Sequence, residues 1–261
     1  MRGELLFLGT GGSAGVPMIG CHCKVCLSTS ARNKRLRTSA LVQIDGKNFL
    51  IDVGPDFRMQ ALTHKIERLD GVLLTHTHYD HIGGIDDLRS YYFLQKGKLP
   101  CLLSQETFEE VKVCYHYLMK PLKDGHTICA QLDFFVLEKD FGKVTFGDLE
   151  WKYVSYHQAD MKVTGFCLGN LSYISDIRRY PETLVPALMG TENLVLSALR
   201  QTPTQMHFGL DEAIEFSEKV GAKETWITHV SHDLDYEEIS QKLPRNVHLS
   251  YDGLKIPFEM K

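Results

Sequence analysis

Leu73-Leu74-Thr75-His76-Thr77-His78-Tyr79-Asp80-His81-Ile82-Gly83-Gly84 is the stretch that decides the reading of this chain. The apolar run Val72-Leu73-Leu74 reads as a buried strand, and the imidazoles begin where it ends. On an extended segment His76 and His78 point the same way, because strand side chains alternate with a period of two. Asp80 and His81 follow at once, and Gly83-Gly84 lets the backbone turn tightly into a helix. Imidazole and carboxylate donors at one site suit zinc, manganese or iron, and two ligand pairs in tandem can hold two ions. The chain has 12 histidines, so an isolated one carries little weight; a run of three at a strand end with an interposed aspartate carries much more.

The same event recurs further along. A strand over 149–155 runs on to His157, one over 171–175 ends at Asp176, and one over 225–228 ends at His229. Donors delivered by separate strand ends can converge at one rim of a sheet.

Around these points the chain alternates between β and α texture. Residues 38–44 and 47–52 flank Asp45-Gly46 as a hairpin, and 164–168 and 171–175 flank Gly169-Asn170 as another. Helical spacing is expected over 56–64, 85–94, 106–119, 181–189, 210–220 and 236–243, with Gly221 stopping the fifth of these. A terminal hairpin through Asp252-Gly253 is expected to close the chain. With no linker, repeat or low-complexity stretch, residues 1–261 are expected to form one α/β domain.

Composition sets bounds. Apolar residues make up 43% and charged residues 24%, ordinary for a soluble globular protein with material for a core. No apolar run approaches the roughly 18 residues of a membrane span, and Met1-Arg2-Gly3-Glu4 leads straight into strand-like 5–8 without a cleavage site, so a cytoplasmic location is expected. A net charge of −4 argues against general nucleic-acid binding. The run Arg32-Asn33-Lys34-Arg35-Leu36-Arg37 is the local exception; it reads as solvated surface or, beside an active site, as an attractor of anionic substrate.

Seven cysteines without a secretory signal do not suggest a disulfide scaffold. Cys101, Cys114, Cys129 and Cys167 lie in apolar surroundings and read as buried small hydrophobes. Cys21-His22-Cys23-Lys24-Val25-Cys26, in a loop at about 20–27, is different: thiolates at this spacing suit zinc, and a closed structural site needs a fourth ligand. The preceding Gly9-Thr10-Gly11-Gly12 is not read as a dinucleotide loop, because Pro17 and the cysteines follow instead of a helix.

Thr75-His76-Thr77-His78-Tyr79-Asp80-His81, with His157, Asp176 and His229 in order after it, resembles the metallo-β-lactamase superfamily. The resemblance implies a four-layer αβ/βα sandwich with two divalent ions, zinc or manganese, between the sheets. It implies that His76, His78 and His157 hold one ion, Asp80, His81 and His229 the other, and that Asp176 bridges them. Within that superfamily, residues 9–17, Cys21-x-Cys23-x-x-Cys26 and His229-Val230-Ser231-His232 are similar to the carbon–phosphorus lyase accessory phosphodiesterase family. That likeness implies one structural zinc on Cys21, Cys23, Cys26 and His232. It also implies a catalytic role for His207, in phosphate stabilisation or proton donation, and a part in proton transfer for Asp80.

The function expected on this basis is hydrolysis of a small phosphodiester, cyclic ones included, by a binuclear metal centre. A ribonuclease Z-like tRNA-processing enzyme and a thioester or lactone hydrolase are the enzymatic alternatives, and a metal-binding carrier protein in cofactor biosynthesis is the non-enzymatic one. The expected partner is a small phosphodiester, with a homodimer as a candidate assembly and no membrane.

Overall fold

The computed structural model describes residues 1–120 and 128–260. Strand β1 (Arg2–Gly9) is followed by a long loop carrying the short helix α1 (Lys24–Leu27). Then come β2 (Ser39–Ile44), β3 (Lys47–Ile51), α2 (Phe57–Thr63), β4 (Gly71–Leu73), α3 (Tyr79–Ile82) and α4 (Arg89–Gln95). The first half ends with β5 (Leu99–Ser104), α5 (Gln105–Cys114) and β6 (Leu132–Leu137). The second half runs through β7 (Phe141–Phe146), β8 (Leu149–Gln158), β9 (Met161–Leu168), β10 (Leu171–Ile174), α6 (Leu184–Leu188) and β11 (Asn193–Ser197). It ends with α7 (Leu210–Val220), β12 (Glu224–Thr228), α8 (Tyr236–Ser240), β13 (Val247–Leu249) and β14 (Lys255–Glu259).

These strands form two seven-stranded sheets, ordered β14-β1-β2-β3-β4-β5-β6 and β13-β12-β11-β10-β9-β8-β7. Each begins as antiparallel neighbours in sequence and continues as parallel strands joined by helical crossovers. Alternation along the strands produces the layers. In β1, Leu5 and Phe7 pack into the apolar layer between the sheets with Trp151, Tyr153 and Tyr173. Leu6 and Leu8 face the other way, against Phe57 of α2, Tyr91 of α4 and Val111 of α5. The outer face of the second sheet is covered by α6, α7 and α8 through Leu184, Phe216 and Ile239. The result is the α/β four-layer αβ/βα sandwich expected from the sequence. Among the described residues no helix is long and apolar enough to cross a membrane.

Four local expectations need correction. Val247–Leu249 and Lys255–Glu259 are not a hairpin: β13 pairs in parallel with β12, whereas β14 pairs antiparallel with β1 in the opposite sheet. The turn at Asp252-Gly253 thus carries the chain from one sheet to the other. The 106–119 helix is α5 followed by a separate 3-10 turn, His116–Met119. Cys101 and Cys167 are buried as expected, but Cys114 is exposed and Cys129 half-buried. The basic run is solvated surface only in part, at the exposed Arg32 and Lys34. Arg35 is buried and donates to Thr10 Oγ1 and the Ser250 carbonyl, Arg37 pairs with Asp56, and Arg32 lies over the Tyr236 and Tyr251 rings.

Candidate metal centre

The β3, β4, β8, β10 and β12 strand ends meet at one rim between the sheets. Leu73 ends β4, and Thr75 and His76 just beyond it are fully buried. His76 Nε2 lies 3.1 Å from His78 Nδ1 and 3.4 Å from Asp176 Oδ2. Helix α3 then turns Asp80 and His81 inward, and β12 supplies His229 from the opposite sheet. His229 Nε2 is 3.3 Å from Asp80 Oδ2 and 3.2 Å from Asp176 Oδ1, while His81 Nε2 is 3.4 Å from Asp176 Oδ2 and 3.6 Å from Asp80 Oδ2. Asp176 is the hub: its two oxygens touch imidazoles delivered by both halves of the chain.

The backbone is bent to achieve this. Asp176 and His229 sit just past β10 and β12 with φ of 54° and 57°, and Asp52, just past β3, with φ of 61°. This left-handed region is unfavourable for residues with a Cβ, so the fold holds strain at three points around one cluster. Close backbone approach helps as well. A Cβ on Gly54 would lie 2.1 Å from the Asp80 carbonyl oxygen, so only glycine lets that loop pass under α3.

Asp52 is a residue whose role the sequence did not declare. Its carboxylate accepts hydrogen bonds from Thr75 N and Thr75 Oγ1, both at 2.8 Å, and from His81 Nδ1 at 2.7 Å. With Nδ1 donating to Asp52, the bare lone pair on His81 Nε2 faces two carboxylates and has no hydrogen-bond partner among the described residues. Lone pair against carboxylate is repulsive unless positive charge stands between them. The protonation balance says the same. Burial opposes charge on His81, but the Asp176 and Asp52 carboxylates outweigh it and push this imidazole well above its ordinary value. Burial likewise opposes charge on Asp80 and Asp176, yet His229 and His81 hold both carboxyls well below the usual range. His76 and His78 move the other way, lowered chiefly by burial. The donor set fits divalent cations, grouped as His76, His78 and Asp176 and as Asp80, His81 and His229.

His157 does not join the cluster. Strand β8 continues to Gln158, and neighbouring side chains on a strand point to opposite faces. His157 is exposed, beside Arg179 and Tyr180 in an open groove, whereas Gln158 is buried and faces the centre. The Gln158 amide nitrogen lies 3.0 Å from Asp176 Oδ2 and 3.0 Å from His207 Nε2. The position expected to hold an imidazole holds a carboxamide. His207 itself is almost fully buried, stacked on His229 at 4.9 Å between centroids, and burial pushes its pKa down to about 4.

A second cluster lies three residues beyond His229. His232 Nδ1 is 3.2, 3.4 and 3.5 Å from the sulfurs of Cys21, Cys23 and Cys26. Backbone N–H groups of Cys26 and Met18 point at the Cys23 and Cys26 sulfurs. The hydrogen bond from Cys26 N lowers the Cys23 thiol to about 6, while burial raises that of Cys26 to about 11. His22 is exposed beside the cluster. Four donors from two distant segments form a closed group suited to zinc.

Residues 47–230 match the β-lactamase superfamily domain. A diphosphatase from the PhnP family, known from its crystal structure, is 35% identical, with a TM-score of 0.91 over 100% of this chain and 98% of that one. An octanoyltransferase of Porphyromonas gingivalis is 32% identical over 259 residues, which are 98% of this chain and 52% of that protein, so the chain spans about half the length of this relative. Zinc-bound PqqB from Methylobacterium extorquens shares the fold, with a TM-score of 0.71 at 18% identity over 97% of this chain and 99% of that one. A strand-end cluster of histidines and aspartates between two sheets, a family match over most of the chain and full-length likeness to a PhnP-family structure agree: the chain belongs to the β-lactamase superfamily, as a metallo-β-lactamase-fold protein of the PhnP family.

Proposed function

We propose that this protein is a metal-dependent hydrolase that cleaves a phosphodiester or diphosphate bond in a small molecule. The observation that carries this reading is the buried group His76, His78, Asp80, His81, Asp176 and His229, in which imidazole nitrogens and carboxylate oxygens face one another across 3.2–3.6 Å. Asp80, His81 and His229 would hold one ion, His76 and His78 the other, and Asp176 would bridge them. Bound divalent ions would supply Lewis-acid polarisation of the phosphoryl group and an activated water at neutral pH.

The chain's own residues do the rest. Asp52 fixes the His81 ring by accepting its Nδ1 proton, and Thr75 Oγ1, 2.9 Å from His76 Nδ1, steadies the neighbouring ring. Asp80, 3.3 Å from His229 Nε2, would take part in proton transfer. His207, neutral at working pH because burial lowers its pKa, suits hydrogen bonding to a phosphoryl oxygen better than donation as an imidazolium. Cys21, Cys23, Cys26 and His232 would hold one structural zinc, tying the N-terminal loop to the segment that carries His229. Arg35 is buried and Arg37 is held by Asp56, which supports a small substrate over a long polyanion such as tRNA. A cytoplasmic setting, where thiolates stay reduced, suits the cysteine cluster.

Elemental analysis and turnover of bis(p-nitrophenyl) phosphate and of a dinucleoside diphosphate test the reading. Metal should be found at both clusters, and Asp80→Ala should lose at least about a hundredfold in rate while keeping its circular dichroism spectrum. Hydrolysis of acyl thioesters or lactones with no phosphoester or diphosphate turnover would overturn it.

A further inference from the structure

The two halves of the His/Asp centre are not equally furnished. Around Asp80, His81 and His229 stand two imidazoles, a carboxylate of their own and Asp176 Oδ1, 3.2 Å from His229 Nε2. Around His76 and His78 stand two imidazoles and the other oxygen of Asp176. Against that same Asp176 oxygen, at 3.0 Å, lies the buried Gln158 amide, which is also 3.0 Å from His207 Nε2.

Its orientation follows from elementary donor and acceptor rules. A carboxylate only accepts, so the amide atom 3.0 Å from Asp176 Oδ2 must be the N–H₂ group. An amide nitrogen has no lone pair to offer a cation. The amide oxygen, which does, is buried and has no hydrogen-bond partner among the described residues. An orphaned buried carbonyl is unfavourable, and turning the amide over would direct that oxygen toward Asp176 Oδ2, the oxygen that faces His76 Nε2. The turn would also set an acceptor against His207, whose ring must then donate toward Gln158.

We propose that Gln158 makes the two cation positions unequal: a tight one at Asp80, His81, His229 and Asp176, and a weak one at His76, His78 and Asp176 that is completed only by a neutral carboxamide oxygen. The inference rests on the two-ion reading of the centre and adds an order of filling and a metal preference. Replacing a nitrogen donor by a neutral oxygen disfavours zinc and copper relative to manganese or magnesium. The weak position is therefore the one that distinguishes cations, and it fills only when the free concentration of a harder ion is high.

The test is metal binding to the whole chain, stripped by chelator and titrated with zinc or manganese alone. Calorimetry and native mass spectrometry follow each step. A parallel cobalt titration reports the cysteine cluster separately through its thiolate charge-transfer absorption. The wild-type His/Asp centre should take one zinc at least about a hundredfold more tightly than the second, on the scale by which metal-site surroundings tune affinity. Gln158→His should bring the second zinc to within about tenfold of the first. Gln158→Glu, of equal size, should tighten the second manganese if the histidine variant fails to fold. Two zinc ions of equal affinity in the wild type, or a second ion unmoved in both variants, overturns the proposal. Tight zinc at the cysteine cluster with no ion at the His/Asp centre in any of the proteins overturns instead the metal-dependent reading beneath it.

Discussion

Asp52 shows how much one side chain can fix. Three donors converge on its carboxylate, two from Thr75 and one from His81, and it holds them from a left-handed backbone position that aspartate tolerates better than most residues. Asp52→Asn leaves the size unchanged but presents an N–H₂ group where a carboxylate oxygen accepted. We expect a loss of about 1–3 kcal/mol in stability and of 10- to 100-fold in metal affinity at the His/Asp centre, read by chemical denaturation and by chelator competition. A variant with unchanged affinity would leave Asp52 a role in folding only. At this scale the sequence was legible where the signal was local: His76, His78, Asp80 and His81 all lie in the cluster, as do Asp176 and His229. It misled at His157 because histidine is the conspicuous letter and glutamine is not. The deciding fact is where β8 stops. A strand ending at residue 155 leaves His157 free to turn inward, whereas one continuing to Gln158 fixes the alternation and turns it out.

The recurring element is a strand that ends in a sharp bend, with the functional side chain on the bend. Such bends need room, and Gly54 supplies it directly beneath α3. Gly54→Ala would drive a methyl group to 2.1 Å from the Asp80 carbonyl oxygen, against backbone, which cannot swing aside as a side chain does. The expected outcome is a destabilisation of about 1–3 kcal/mol together with fewer ions at the His/Asp centre and an intact cysteine cluster. Thermal melting and metal analysis of the same sample check both, and full metal content in the variant would show that α3 has slack. Helix α7 was readable to the residue because its signals are chemical: Asp211 and Glu212 in the first turn and Gly221, at φ 73°, stopping the last. The closing segments were misread because a turn signature at Asp252-Gly253 states that the chain reverses, not which sheet receives it. Pairing of β14 with β1 joins opposite ends of the described chain, and that of β13 with β12 spans helix α8, so local pattern carries no information on either.

At the scale of the whole molecule, the N-terminal glycine loop, the basic run and the C-terminal crossover are locked together at Asp252. Its carboxylate accepts from Thr10 N, Thr10 Oγ1 and Leu36 N, while Arg35 reaches Thr10 and the Ser250 carbonyl beside it. Burial outweighs these contacts and pushes Asp252 up to about 6. The folded state therefore holds the proton more tightly than the unfolded chain does. The stability this group contributes is complete below about pH 4 and is lost as pH rises through about 6. Relative to Asp252→Asn, which cannot titrate, the wild type should lose about 1–3 kcal/mol between pH 4 and pH 7, measured by urea denaturation at the two values. An unchanged difference would place the shift elsewhere in the network.

One further property follows from the pairing of β14 with β1. Met1 and Met260 exchange backbone hydrogen bonds of 2.8 and 2.9 Å, so the two extremities of the described chain touch at the edge of a sheet, and Lys255 Nζ meets Glu4 Oε1 a few residues inside them. Within the described residues the backbone path is nearly a closed loop, open between these two strands. A few flexible residues would seal it, and the exposed Asp45-Gly46 turn, where an added side-chain atom meets nothing, offers another place for the opening. Rearranged in this way, the order of the letters would change while the rim that gathers the histidines would not.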